Sequence, residues 1–241
     1  MNIISLIKPT PSGPAASEWT IGSLDLYALS HALDLRDRVG GSVHAIVVGP
    51  ASSAPVAQRA LASGADEGTL LVFEQPELLD AAALSVLLKE HVSGMDHDLI
   101  LSGQTSDDLE TGLLGPMLAE QLGLPHVSTV TRIDSDDGQL RIERDVVGGK
   151  HVLQVTLPAL LAVLSGREIS LRFPTPRGMI AARKKPMHTI HIDTGIPGSG
   201  VSWTHPTVPE RSGDGELLRD LSAGDAAVAI ASWLRQRGLT G

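Results

Sequence analysis

Along the first half of the chain, short apolar runs alternate with longer stretches in which apolar positions recur every three or four residues. Residues 3–7, 43–48, 69–73 and 99–102 have strand length and are rich in Ile, Val and Leu. Helical spacing occupies 25–39, 54–63, 79–92 and 113–123. Strands that are apolar throughout, instead of alternating, have both faces covered, so the pattern predicts a parallel sheet with helices on both sides. In the first helix Leu26, Leu29 and Leu33 form one stripe that runs out at Asp37. Gly40-Gly41 and Gly64-Ala65-Asp66 read as helix stops. Ligands of such sheets lie beyond the carboxyl ends of the strands.

From residue 127 the rhythm shortens. Residues 127–133, 140–146, 151–157 and 160–164 read as strands in quick succession, with Asp136-Asp137-Gly138 and Gly148-Gly149 as turns. This predicts an antiparallel flap after the parallel layer, with Pro158 starting its last strand. Residues 165–187 are polar, are interrupted by proline, and end in Arg183-Lys184-Lys185-Pro186. Residues 193–215, rich in Gly, Pro, Ser and Thr, read as a linker or extended arm. A final amphipathic helix is predicted over 223–237, with Ala226, Ala229, Ile230, Trp233 and Leu234 on one face and Gly238 as its stop. The expected organisation is an α/β domain with flap over 1–190 and an arm with terminal helix over 191–241. One helix on an arm must bury its apolar face against its own body or a partner.

The 241 residues suffice for one sizeable domain with appendages, and a hydrophobic fraction of 42% supports a packed core. Three Trp, two Phe and one Tyr leave few platforms for stacking bases, and a net charge of -9 counts against a phosphate-backbone partner, so nucleic acid is not expected. There is no cysteine, which removes disulfides, thiolate metal sites, iron–sulfur clusters and a cysteine nucleophile together. No apolar stretch reaches the roughly 18 residues of a membrane span, and the first eight residues lack the basic start of a signal peptide; the expected location is the cytoplasm, without membrane insertion. The nine histidines are scattered, and His188 and His191, in a possible strand, would face opposite ways, so no metal site is expected. Gly198-Ser199-Gly200 precedes no helix and forms no phosphate loop.

Several segments in order resemble the electron-transfer flavoprotein β-subunit family over roughly residues 1–190. They are the opening strand ending in Ile7-Lys8, then Leu24-Asp25-Leu26-Tyr27-Ala28, Val47-Val48-Gly49-Pro50 and Ala62-Ser63-Gly64-Ala65-Asp66. Asp98-Leu99-Ile100-Leu101-Ser102-Gly103 follows, leading to Asp108, Gly115-Pro116-Met117-Leu118-Ala119 and Leu124-Pro125. Leu157-Pro158-Ala159 and Ala182-Arg183-Lys184-Lys185-Pro186 complete the set. The resemblance implies an electron-carrier subunit, not a self-sufficient enzyme. It pairs with a larger α subunit that holds the redox-active FAD, and itself holds AMP in most branches or a second FAD in a few bifurcating ones. Its redox partners would be dehydrogenases as donors and a quinone reductase or another acceptor.

Carried over from the family, the nucleotide contacts fall at Leu6; at Gly22, Ser23, Leu24 and Asp25; at Val48; and along Gly103, Gln104, Thr105, Ser106, Asp107, Asp108, Thr111, Gly112, Leu113 and Leu114. A polar loop leading from a strand end into a helix suits this, because loop amides and a helix N-terminus point at phosphate. This chain departs from the family where Leu113-Leu114 replaces a Gln-Thr or Gln-Val pair, where Gly22 replaces an Asn and where Leu109 replaces the Gly of bifurcating forms. The loop 9–21 is also short. Asp107, Asp108 and Glu110 would repel a phosphate dianion at the start of the helix, or serve as helix-start residues with Thr105 or Ser106 as the cap. The expected ligands, in order, are AMP, an empty or altered site, and a second FAD. The departures point to a divergent branch, such as one serving a mycofactocin-linked redox system.

Residues 174–185 occupy the position of the family's partner-recognition loop. The anchor position falls at Pro176, beside Arg177, while Met179 and Ile180 are the better physical anchors. An ordinary surface loop with those apolar residues buried is the plainer reading. Arg183, Lys184 and Lys185 would steer an acidic partner or hold flavin phosphates, or form a solvated charge run. The rival function is a stand-alone adenine-nucleotide-binding module of the stress-protein type, and a small flavin enzyme is a third.

Overall fold

The structure is a computed structural model that describes residues 1–12, 18–75, 79–136, 139–165, 169–192, 200 and 217–239. The chain divides into two compact units, Met1–Trp203 and Thr204–Gly241. The first unit is built on one sheet. Its core strands are β1 (Asn2–Ile7), β4 (Ser42–Gly49), β5 (Glu67–Val72), β6 (Leu99–Gly103) and β10 (Ala159–Val163). They are flanked by β11 (Met187–His191) at one edge and by β7 (His126–Asp136), β8 (Gln139–Val146) and β9 (Gly149–Val155) at the other. The order is β11-β5-β4-β1-β6-β10-β7-β8-β9. All neighbours are parallel from β11 to β7, and β7, β8 and β9 pair antiparallel.

The helices cover the sheet as its two-sided apolar strands require. α1 (Ser23–Val39) and α2 (Ala54–Ser63) pack on one face, burying Leu29, Leu33 and Leu61 against Ile3, Val47 and Leu101. α3 (Ala81–Val92) and α4 (Leu114–Leu122) pack on the other, burying Leu87, Leu88 and Leu118 among Ile4, Ile46 and Ile100. The parallel α/β architecture with antiparallel extension agrees with the sequence pattern. From β1 the chain crosses to β4 on one side, while β6 lies on the other. This makes the carboxyl ends of β1 and β6 a switch point.

Three elements differ from the expectations. The run 160–164 is no flap strand. β10 lies between β6 and β7, parallel to both, because all five of its positions are apolar and buried, the pattern of a central strand. The segment 9–21 includes a hairpin of β2 (Pro9–Ser12) and β3 (Glu18–Ile21), whose prolines are tolerated because this two-stranded ribbon stands apart from the main sheet. The polar segment 165–187 contains a helix, α5 (Pro176–Ala182), with Pro176 at its first position and Thr175 Oγ1 accepting from the Gly178 amide. The possible strand holding His188 and His191 is present, as β11 at the sheet edge, parallel to β5. The turn at 137–138 and the arm 193–215 lie outside the described residues.

In the second unit the described residues carry α6 (Ala223–Gln236), capped by Ser222 Oγ, which accepts from the Asp225 amide. The Arg237 guanidinium lies 4.4 Å over the Trp233 ring. Among the described residues no helix is long and apolar enough to cross a membrane.

Candidate nucleotide site

The turn entering α1 meets the ends of β1 and β6. Asp25, the third residue of α1, is 7% exposed. Its Oδ2 accepts from the Lys8 amide at 2.8 Å and its Oδ1 from the Gly103 amide at 2.9 Å, so one carboxylate ties two neighbouring strand ends together. Gly103 is required for that approach, since a Cβ there would fall 2.6 Å from Asp25 Oδ1. Burial raises the Asp25 carboxyl to about 7, outweighing the two amide hydrogen bonds that favour its charge; Asp107 adds to the rise and Lys8 opposes it.

The loop after β6 is pinned from three sides. Asp107 Oδ2 accepts from the Ser23 amide at 2.9 Å and its Oδ1 from Ser23 Oγ at 2.6 Å, so it caps α1. Asp108 pairs with Lys8 Nζ at 2.6 Å. Burial would push the Asp108 carboxyl up, but Lys8 and Ser106 bring it below its ordinary value. Gln104 Oε1 accepts from the Thr129 amide at 2.7 Å, and Thr129 Oγ1 donates to the Asp145 carbonyl, which ties the loop to β7 and β8. Asp107 and Asp108 therefore do not crowd the start of the following helix. That helix begins at Leu114, its preceding residue Leu113 contributes no side-chain cap, and neither Thr105 nor Ser106 is its cap. Asp107 serves a different helix, α1, from across the cleft.

Between this loop, β1, β4, β6 and α3 lies an open pocket. Of the predicted site residues it gathers Leu6, Asp25, Val48, Gly103, Gln104, Thr105, Ser106, Thr111, Gly112, Leu113 and Leu114. Gly22, Ser23 and Leu24 form the adjoining turn, and Asp107 and Asp108 hold the loop without lining the pocket. The pocket also takes in Leu109, where the chain departs from the family, and Lys8, Ser102 and, from the start of α3, Ala81 and Leu84, which sequence reasoning did not place in it. Lys8 was within reach of the sequence, because it directly follows a strand end. Ser102 was not, because only the fold shows that its buried Oγ has no partner. Among the described residues the amides of Gly112, Leu113, Leu114 and Gly115 donate no hydrogen bond inside the protein.

Away from the pocket, α5 presses on the end of α2, where a Cβ at Gly178 would collide with the Ala62 carbonyl. Its Pro176, Arg177, Met179 and Ile180 face solvent, Met179 at 47% and Ile180 at 66% exposure, so the reading with buried apolar residues does not hold. The basic run splits. Arg183 and Lys184 are exposed, but Lys185 Nζ turns inward and donates to the Leu61 and Ala65 carbonyls at 3.0 and 2.6 Å. Burial lowers the Lys185 ammonium. On α6, Val228, Ile230 and Trp233 are exposed.

The electron transfer flavoprotein domain family matches residues 15–194. The electron transfer flavoprotein subunit beta of Bacillus subtilis is 32% identical over 178 residues, covering 73% of this chain and 69% of that one. The chain belongs to the electron-transfer flavoprotein β-subunit family. The subunit beta of Thermoanaerobacterium thermosaccharolyticum is 29% identical over 240 residues, covering 90% and 92%. The acryloyl-CoA reductase electron transfer subunit gamma of Anaerotignum propionicum is 26% identical over 210 residues, covering 81% and 79%.

Proposed function

We propose that this chain is one half of a heterodimeric electron carrier. It seats AMP in the pocket at the ends of β1 and β6, and a larger α subunit holds the redox-active FAD. The observation that carries the nucleotide reading is the pocket itself. It combines the unengaged amides of Gly112, Leu113 and Leu114, leading into α4, with Lys8, an unpartnered Ser102 hydroxyl and walls of Leu and Val. Such a site suits an aromatic base and a phosphate. Where relatives use polar side chains, Leu113 and Leu114 leave recognition to the backbone. FAD in the partner supplies the redox chemistry; this chain's part is to bind, orient and dock. Lys8 is already paired with Asp108, so the phosphate is held chiefly by amides.

Met179 and Ile180 on α5 present the apolar contact for a dehydrogenase, and Arg177, Arg183 and Lys184 give that face positive charge against an acidic partner. A small anchor gives weak, fast-exchanging contacts, as a carrier needs. The apolar face of α6 serves the α subunit. A quinone reductase or similar acceptor completes the path. A stand-alone nucleotide sensor would share the pocket but has no use for an exposed Val228, Ile230 and Trp233. The test is co-expression with a candidate α subunit and mass spectrometry of the released ligands. The expected result is a yellow two-chain complex that releases FAD and AMP. A colourless single chain that hydrolyses ATP would overturn the proposal.

A further inference from the structure

Both groups that meet the Asp25 carboxylate are backbone N–H donors, one on each of two neighbouring strand ends. An ionised carboxylate offers an acceptor to each. A protonated one turns one oxygen into a donor that faces a donor, and so does an Asn amide. The charged groups facing Asp25 are Lys8 from the end of β1 and Asp107 from the loop after β6; Asp108, on the same loop, is engaged with Lys8. Gly103, whose amide Asp25 holds, begins the loop that lines the pocket and leads to the open amides of α4.

We infer that Asp25 is a positioning residue of the nucleotide pocket: by accepting from the Lys8 and Gly103 amides it sets the spacing of the β1 and β6 ends, so nucleotide binding weakens when it takes up a proton. The inference rests on the nucleotide reading above. Because burial brings this carboxyl to about 7, the event falls in the physiological range. Acidification then acts on fold and pocket in opposite directions. A carboxyl raised from the ordinary 3.8 to about 7 binds more protons folded than unfolded between those values. Its contribution to stability is therefore full at low pH and is lost as pH rises through 7. The clamp has the reverse dependence.

The experiment is calorimetric titration of AMP into nucleotide-stripped, full-length protein from about pH 8 to pH 6, for the wild type and for Asp25→Asn. Amide hydrogen exchange at Lys8 and Gly103 is followed in parallel. Wild-type affinity should fall by about tenfold over that range beyond the slope shown by the variant, the change expected for one carboxylate that must be ionised. The variant's own slope carries the titration of the AMP phosphate. Wild-type protection at both amides should fall with pH while distant strand amides stay protected. Unchanged AMP affinity in Asp25→Asn, or wild-type binding that tightens on acidification, would overturn the inference. If the wild type takes no AMP, ADP or FAD at any pH, the nucleotide reading fails by itself. Exchange then decides the clamp: pH-independent protection at Lys8 and Gly103 refutes it, and selective loss upholds it.

Discussion

Ser102 occupies a strand apolar on both sides of it, and its hydroxyl is buried without a hydrogen-bond partner. Leaving a hydroxyl unpaired costs free energy that an apolar side chain of similar size would not. Ser102→Ala should therefore stabilise the free protein by about 1 kcal/mol in urea denaturation, while AMP affinity falls about fivefold to tenfold. A loss of stability on that substitution would place the hydroxyl in an internal bond instead. At this scale the sequence marks which residues are unusual. Gly103, Asp25 and the acids 107 and 108 all stand out in it. Their pairings do not, because Asp107 reaches Ser23 and Asp108 reaches Lys8 over separations that no local pattern encodes.

Among the elements, α5 and the end of α2 form a small device of their own. Lys185 caps the α2 terminus through two carbonyls, and the Arg36 guanidinium meets the neighbouring Gly64 carbonyl and Asp66. Lys185→Ala should lower stability by about 1 kcal/mol, whereas Lys184→Ala, with its ammonium in solvent, should change it by less than about 0.5 kcal/mol; thermal unfolding distinguishes them. From sequence the two lysines are indistinguishable members of one basic run. The strands of the parallel sheet and the helices of the first half are legible to within two residues, because their hydrophobic period is set by which faces are covered. β10 is misread by succession: a strand following three antiparallel strands looks like their fourth member. Only its uniformly buried positions against β6 and β7 reveal a core strand. The hairpin β2–β3 is hidden by Pro9 and Pro11, which argue against a strand in any sheet interior but not in a free ribbon.

For the whole molecule, the terminal helix gives the most direct test of the two-subunit proposal. Trp233 and Ile230 are exposed on α6, and a buried aromatic anchor in an interface carries about 2 kcal/mol or more. Trp233→Ala should weaken association with the α subunit at least about thirtyfold in a sedimentation or surface-binding assay, with unchanged unfolding of the first unit. An equal affinity would assign the helix to another role. Alternation of apolar runs and helical spacing by itself determined the α/β class, the two-sided sheet and the place of the loop after residue 103, and the order of short motifs carried the family resemblance, since each depends on order along the chain. Tertiary structure alone decided that β10 sits inside the sheet, that Lys185 is inward, that Met179 and Ile180 are outward, and that one carboxylate spans two strand ends. Those are facts of distance between segments remote in sequence, and a periodicity carries information only about its own segment.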